Sequence, residues 1–532
     1  MIVNGLSSPQ KLLVVLLLLA AAFLRLYKPL QYPLAINQDE LSNIYDGRSI
    51  AETGKDRWDT PNPCIARGLG DGDNRPALQA WIFAGVYKLT GFSVGAARIT
   101  NALLSLIALW LLFLFLRNSF SIPTAIAGLA VAGLSGWHIL FSRMAHEGAV
   151  LPFLFIALVL YLWQKYRVLT YTNLWGLLLL GFVTGFSSNA YQASKITALV
   201  LAVVIAVDVF ITTKNKVKPL LFLGIGGLLG AFPQLYTLLQ NPELFFARAK
   251  TQSLPLNSLE SWGAVLKNFA LNLSPEFLFF SSGTHNNLSI YRLYPIEIVF
   301  FYVGIILLLI NYKKFAGKFP AVLIALTLLA ALLPAALTYA NPHALRASGL
   351  AILAPVCTAI GWVFFTRLIK NEKLTTWVHS SGLVVLFIVC LSTAYSYHNS
   401  VDLRSRNQQH QLVLMYQKLN NYKDKFSNIY IENTTGESYL YLITFCDIAP
   451  KDFKELEKEY YKADFDDFNR LGKYRFVNAE NWSSVLDTTK TTGPLVVSSS
   501  KITDKNPMDS VVFGATTFYF TEFTSHSNWN AE

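Results

Sequence analysis

Apolar runs of about 20 residues recur along the chain, and a helix of that length crosses a hydrocarbon core of roughly 30 Å. The first run, Leu12–Leu26, has no small-residue cleavage site after it and is predicted to remain as an anchor helix. The chain is therefore predicted to be a mostly α, polytopic membrane protein. About eleven spans are predicted, at residues 12–30, 96–116, 121–140, 149–164, 172–190, 196–213, 219–239, 295–311, 320–340, 347–366 and 377–397.

The positive charge of the polar segments predicts the orientation, because cytoplasmic loops are enriched in Lys and Arg. With the N-terminus inside, the inner loops hold 13 Lys and Arg residues, whereas the short outer loops hold only Arg143, Lys195 and Arg346. The short apolar segment 76–92 would break this agreement as a span, so it is predicted to be an interfacial helix on the outer side. We therefore predict a multi-pass protein of the plasma (inner) membrane with a cytoplasmic N-terminus and an extracytoplasmic C-terminal domain.

The composition agrees with a membrane protein. Of the 532 residues, 53% are hydrophobic and 14% are charged, against about 25% charged residues in soluble domains. The net charge of +11 would suggest a nucleic-acid partner for a soluble protein, but here it is largely the orientation signal, and no nucleic-acid partner is expected. The cysteines and histidines show no metal-ligand spacing, and a Cys64–Cys446 disulfide on the outer face is left open.

Two domains are predicted. Residues 1–398 form the membrane domain, whose outer loops 31–95 and 240–294 are long enough to carry a site, and residues 399–532 form a far more polar tail. In the tail, helix-like stretches at 403–425 and 451–461 alternate with strand-like stretches at 428–432, 474–477, 494–500 and 518–523. This alternation predicts a small extracytoplasmic α/β domain.

An acidic pair follows the first span. Asp39 and Glu40 begin a helical stretch that ends near Gly54, and apolar residues at 41, 44, 45 and 50 give it one apolar side. That pattern predicts a helix on the membrane surface. Asp39 is interpreted either as the N-cap of this helix or as a general base held at the boundary between water and lipid.

Basic residues lie on the same predicted outer side. Arg75 precedes Pro76 at the start of the 76–92 helix, where it can pair with a lipid phosphate or anchor in the headgroups. A site for a lipid-linked phosphate at this boundary would need a carboxylate base, cations for the phosphate and an apolar groove. The candidate cations are Arg75, Lys195, Arg292, His343 and Arg346, with snorkelling as the alternative for Lys195 and Arg346.

The order of these motifs resembles the C-type (GT-C fold) membrane glycosyltransferases, in particular the protein O-mannosyltransferase and aminoarabinose transferase family. Ala77 stands where this family usually has a second proline. The resemblance covers residues 10–400, implies a GT-C fold there, and adds Arg143, Glu147 and Tyr191 as possible support of the site. The matching residues are Asp39-Glu40, Arg75-Pro76-Ala77-Leu78, Gly91, Ala97-Arg98, Ser142-Arg143 with Glu147, YQASK (191–195), GTHNNLSIYR (283–292) and NPHALRASG (341–349).

The resemblance implies an inverting hexosyl- or pentosyltransferase that uses a polyprenyl-phosphate sugar and an acceptor hydroxyl on a protein, lipid or glycan. Asp39 would be the catalytic base and Glu40 would shape the site. No cofactor or metal site is expected, although the sequence leaves a divalent ion open. Two alternatives remain: a transporter or flippase of lipid-linked glycans, and a ligase that transfers a whole lipid-linked glycan. Charged residues gather at the outer boundary and not at mid-span, which favours the transferase over the transporter.

Overall fold

The computed structural model describes residues 5–69, 73–280, 291–310, 318–400, 409–434, 438–458, 470–482, 493–501, 506–514 and 516–523. The chain divides into two compact units. The membrane unit comprises Met1–Tyr32, Asn74–Gln79 and Ser93–Val401, and the loop–tail unit comprises Pro33–Asp73, Ala80–Phe92 and Asp402–Glu532. The first predicted outer loop, 31–95, is thus shared between the two units.

The described part of the chain is mainly helical. In chain order its helices are α1 Ser8–Leu26, α2 Gln38–Thr53, α3 Leu78–Thr90, α4 Val94–Ser119, α5 Ile122–Leu134, α6 Gly136–Ser142, α7 Glu147–Val168, α8 Leu174–Phe186, α9 Ser194–Thr212, α10 Val217–Gln240, α11 Pro242–Gln252, α12 Leu259–Asn272, α13 Ile298–Ile310, α14 Lys318–Ala336, α15 Leu350–Arg367, α16 Glu372–Asn399, α17 Gln409–Leu419, α18 Ser438–Phe445 and α19 Pro450–Lys458. Its strands are β1 Ile65–Arg67, β2 Asn74–Pro76, β3 Ile429–Glu432, β4 Arg470–Leu471, β5 Tyr474–Val477, β6 Leu495–Ser498, β7 Asp509–Phe513 and β8 Thr516–Glu522.

Seven of the described helices are long and apolar enough to cross a membrane, namely α1, α4, α7, α9, α10, α15 and α16. The pair α5 and α6, bent by 58°, makes up to eight if it counts as one span. The apolar segments Leu174–Asn189, Pro295–Ile310 and Val322–Ala336 are shorter. The predicted polytopic, mostly helical fold class is confirmed, whereas the predicted number of about eleven spans is not confirmed by the described residues.

Two arginines donate hydrogen bonds to backbone carbonyl oxygens around the break between α5 and α6. Arg25 of α1 donates to the carbonyl oxygens of Gly133 (2.8 Å) and Ala132 (3.4 Å), at the end of α5 where carbonyls lack intrahelical partners. Arg143, which follows α6, donates in turn to carbonyl oxygens beyond the end of α1, including that of Lys28 (3.1 Å). The segment predicted as the span 121–140 is therefore broken, because the helix stops at Ser135 and restarts in a new direction.

Glycines allow α8 and α10 to touch backbone to backbone. A Cβ atom at Gly226 of α10 would lie 2.1 Å from the carbonyl oxygen of Leu178, and one at Gly230 would lie 2.0 Å from that of Phe182. Gly181 of α8 has the same relation to Leu223 of α10, at 2.0 Å. Small residues at matched positions let membrane helices approach closely. The close contact between α8 and α10 therefore depends on these glycines, which carry no side chain.

The loop–tail unit contains a six-stranded sheet in the order β4-β5-β3-β6-β8-β7. β3 pairs in parallel with β5 and β6, and β8 pairs antiparallel with β6 and β7. The four predicted strands and both predicted helices of the tail are present, and α18, β4 and β7 are additional. Cys64 and Cys446 are both free thiols, so the disulfide that the sequence left open is not formed.

Helix α2 packs on protein and not on lipid. Every residue from Glu40 to Ile50 is buried. The hydroxyl of Tyr45 donates to the carbonyl oxygen of Ile448 (2.9 Å), and its ring lies 5.9 Å from that of Phe453, between ring centroids. The predicted position on the membrane surface is therefore wrong, because α18 and α19 of the same unit cover the apolar side.

Candidate active site

The acidic pair lies in the first turn of α2 in the loop–tail unit. Asn37 is the N-cap, and its side-chain oxygen accepts a hydrogen bond from the backbone N–H of Glu40 (2.7 Å). The interpretation of Asp39 as the N-cap is therefore wrong, and its carboxylate is not the capping group. Asp39 is half-buried, and Glu40 is buried with 1% of its surface exposed. Carboxylates in a first turn are stabilised by the positive end of the helix dipole.

In the membrane unit, the ammonium of Lys195 is turned into the protein. Lys195 is the second residue of α9, and its Nζ is buried with no hydrogen-bond partner among the described residues. The Nζ lies 3.9 Å from the ring centroid of Phe245, which belongs to α11. Snorkelling to water is therefore wrong for Lys195. Because an aromatic face compensates a buried ammonium only in part, this position suits an anion.

Arg346 lies in the turn that precedes α15. Its Nη2 donates to Gln252 Oε1 (2.7 Å), while its Nη1 is buried without a hydrogen-bond partner in the described parts of the chain. Its backbone N–H donates to His343 Nδ1 (3.3 Å), so the imidazole fixes the turn. Burial lowers the pKa of Arg346 below its ordinary value, and the positive charge of Arg248 acts in the same direction.

Helix α11 contacts both of these cations. It carries Phe245 against Lys195, and Arg248 and Gln252 beside Arg346. We define the cationic cluster as Lys195, Arg248 and Arg346.

Arg75 belongs to a segment at the border of the cationic cluster. It lies in β2, which packs on α11, and Gln192 next to Tyr191 donates to the carbonyl oxygen of Asn74. Arg75 is buried, with 3% of its surface exposed. Its predicted position at a helix start is wrong, because α3 begins only at Leu78.

Tyr191 links the cationic cluster to the start of α7. Its ring lies 6.3 Å from that of His146, between centroids, and a Cβ atom at Gly148 would lie 3.1 Å from it. His146 Nδ1 accepts from the N–H of Gly148 (3.0 Å), which orders the first turn that contains the buried Glu147. Tyr191 also interacts electrostatically with Arg346. The structure thus brings the predicted support residues Tyr191 and Glu147 to the side of the cluster.

The structure places Arg292 and Arg143 elsewhere in the membrane unit. Arg292 donates to the carbonyl oxygen of Phe277 (2.7 Å) and lies over its ring at 4.0 Å. The carbonyl oxygen of Arg292 accepts from Ser135 Oγ (2.9 Å) at the break between α5 and α6. Burial lowers the pKa of Arg292 to about 10. Both arginines therefore brace the broken helix, Arg143 from the side of α1.

Three residues of this region were not predicted. Phe245, Arg248 and Gln252 lie in the predicted outer loop 240–294, where the run FFARAK combines aromatic and basic residues. This combination of aromatic and basic residues near the end of a span could have indicated them. Among the described residues, no group of three or more His, Cys, Asp or Glu side chains could hold a metal ion.

Comparison with known proteins finds one matching family model and several similar solved structures. Residues 74–236 match the family model described as dolichyl-phosphate-mannose-protein mannosyltransferase. No curated protein sequence matches the chain. The structure of ArnT from Cupriavidus metallidurans bound to undecaprenyl phosphate is similar, with 12% identity, a TM-score of 0.55, and coverage of 97% of this chain and 98% of that chain. Its apo form gives 10% identity and a TM-score of 0.54, with coverage of 92% and 93%.

At these identities the likeness to ArnT shows the fold, which is the GT-C fold that the sequence motifs indicated. The chain has this fold, and its residues 74–236 are similar to the mannosyltransferase family model.

Proposed function

We propose that the chain is an inverting glycosyltransferase that moves a sugar from a polyprenyl-phosphate donor to an acceptor hydroxyl. The observation that supports this most is the cationic cluster, where Lys195 Nζ and Arg346 Nη1 are buried without hydrogen-bond partners among the described residues. Phosphate oxygens supply acceptors and negative charge to both groups. ArnT, which has the same fold, was solved with undecaprenyl phosphate, a lipid of this chemical class.

The reaction assigns a role to each group. The bond between the sugar C1 and the phosphate oxygen breaks, and the acceptor oxygen forms the new bond to C1 from the opposite face. Asp39 takes the proton of the acceptor hydroxyl, and Glu40 shapes the acceptor side. Lys195 and Arg346 stabilise the charge that develops on the departing polyprenyl phosphate. The bias of Lys and Arg among the loops supports a site on the outer face of the inner membrane.

The donor assay uses membranes that contain the full chain and a panel of radiolabelled polyprenyl-phosphate sugars. Lys195→Gln and Arg346→Gln should each raise the donor KM by about 10- to 150-fold, because a hydrogen bond to a charged group contributes about 1.5–3 kcal/mol. Lys250→Gln is the matched control, since Lys250 lies on α11 but is exposed, and it should leave KM unchanged. Equal KM values for all three variants would remove the cationic cluster from donor binding.

The base is tested separately. Asp39→Asn keeps the size of the side chain and removes the proton acceptor, so the transfer rate should fall by about 10²–10⁴-fold while donor binding persists. Transfer at the wild-type rate would show that the base is another residue. Repeating the wild-type assay with EDTA, and then with added Mg²⁺ or Mn²⁺, decides metal dependence.

The assay also separates the two alternatives. Movement of labelled donor between the leaflets of proteoliposomes, without transfer to any acceptor, would identify a flippase. Transfer of a preassembled glycan but of no single sugar would identify a ligase.

A further inference from the structure

Helix α12, Leu259–Asn272, exposes a row of large apolar residues. Its exposed residues include Leu259, Trp262 and Leu266, which are 92%, 51% and 72% exposed. These positions are spaced by three and four residues, so they form one stripe along the helix. The side that faces the protein includes buried Val265 and Asn272 and half-buried Asn268.

Hydrogen bonds hold the polar side of α12 against the end of an apolar helix. Asn268 Nδ2 donates to the carbonyl oxygens of Ala336 (3.0 Å) and Thr338 (3.2 Å), at and just beyond the end of α14. Asn272 Nδ2 donates to Asn341 Oδ1 (2.7 Å). These bonds fix which side of α12 faces outward, so the exposed apolar stripe is a defined surface.

The length and position of α12 identify what covers this stripe. Its 14 residues give a length of about 21 Å, which is too short to cross a core of about 30 Å. It is attached across the end of α14, where the apolar segment Val322–Ala336 stops. We propose that α12 lies in the plane of one membrane interface, with Leu259, Trp262 and Leu266 inserted among lipid acyl chains.

The flanks of the stripe agree with this orientation. Glu260 and Lys267 are exposed and lie together on one side of the stripe, where an interfacial helix meets water and headgroups. Trp262 has the amphipathic ring that is enriched at such interfaces. The lipid contact of α12 does not depend on the proposed transferase activity.

The test uses spin labels on the full chain in nanodiscs of phosphatidylethanolamine and phosphatidylglycerol. Leu266→Cys and Lys267→Cys are made in a Cys64→Ser background, because the other three native cysteines are buried. Lys267 is the matched control, since it is adjacent in sequence and exposed but lies off the stripe. Accessibility to oxygen, which concentrates in acyl chains, is compared with accessibility to a water-soluble nickel complex.

The label at position 266 should be several-fold more accessible to oxygen relative to nickel than the label at position 267, and Leu259→Cys should behave as position 266 does. Equal nickel accessibility at 266 and 267 would show that water covers the stripe and would overturn the proposal. Protection of position 266 from both reagents would also overturn it, because the cover would then be a partner protein or a second copy of the chain.

Discussion

The ion pair between Asp46 and Arg57 is the strongest test of how the first loop is held on α2. Arg57 Nη1 lies 2.6 Å from Asp46 Oδ2, and the two side chains are 1% exposed or less. Arg57 Nη2 also donates to the carbonyl oxygen of Gly68 (2.6 Å). Burial lowers the pKa of Arg57, and the Asp46 carboxylate overcomes this effect, so the pKa lies above its ordinary value. One guanidinium thus fastens the loop after α2 to the helix that carries Asp39.

Asp46→Ala leaves the Arg57 charge buried without its carboxylate, which costs about 3–5 kcal/mol. For a unit of this size, each kcal/mol lowers Tm by about 2–4 °C, so a decrease of about 6–20 °C is expected. The control is Lys55→Ala. Lys55 pairs with Asp59 at 3.1 Å in the same loop, but these side chains are 43% and 58% exposed. An exposed pair of this kind contributes about 0.2–1 kcal/mol.

The assay follows the loop–tail unit through the thiol of Cys446, which is fully buried in it. Cys64, Cys357 and Cys390 are replaced, and the temperature at which a maleimide dye reacts with Cys446 is recorded in detergent. If Asp46→Ala and Lys55→Ala lower this temperature equally, the burial of the Arg57 charge does not depend on Asp46 and the reasoning is refuted. Adding Arg57→Met to Asp46→Ala should recover part of the loss, because no buried charge remains.

Three further predictions concern other parts of the chain. Burial and the neighbouring Asp46 raise the pKa of Asp56 from 3.8 to about 6. This shift adds about 3 kcal/mol to the free energy of unfolding below pH 3.8, and the contribution is lost as the pH rises through 6. Asp56→Asn should thus raise Tm more at pH 8 than at pH 5, and an equal change at both would contradict the shift. Gly230→Ala should destabilise the membrane unit by about 1–3 kcal/mol or more, whereas Gly224→Ala, which meets open space, should not; the difference is read from thermal melting in detergent. Asn272→Ala should raise the donor KM more than it lowers kcat, because Asn272 Oδ1 accepts from the N–H of His343 (3.2 Å) in the turn that carries Arg346; a fall in kcat alone would speak against this positioning role.

The elements of the fold were predictable where one local pattern dominated. β3, β5, β6 and β8 are strand-like over their own lengths and were predicted from them. α18 was missed because its sequence, SYLYLITF, is rich in residues that favour strands. Its residues 438–444 are buried and it packs on α2, so tertiary packing decides its conformation. The break at Ser135 was missed for a similar reason, because the carbonyl oxygens it exposes are satisfied by Arg25 from a distant helix.

The candidate active site was likewise predictable only in part from local sequence. Charge type and predicted sidedness were enough to select Lys195 and Arg346, since each is a cation at a span end. Nothing in the local sequence separates them from Arg292, which the structure uses to brace the helix break. The difference lies in partners far along the chain: Phe245 for Lys195, Gln252 for Arg346 and Phe277 for Arg292. Residue types can therefore be read from the sequence, whereas their grouping depends on long-range packing.

Helices α2 and α12 show why an apolar side alone does not identify what covers a helix. The apolar pattern of α2 predicted contact with lipid, yet Asp46, on the side away from Leu41 and Ile44, is buried as well and pairs with Arg57 at 2.6 Å. A buried ion pair on that side of the helix requires protein around it. In α12 the charged residues are exposed, while Asn268 and Asn272 make the polar contacts to protein beside buried Val265. The polar side therefore distinguishes the two cases, and it assigns protein to α2 and lipid to α12.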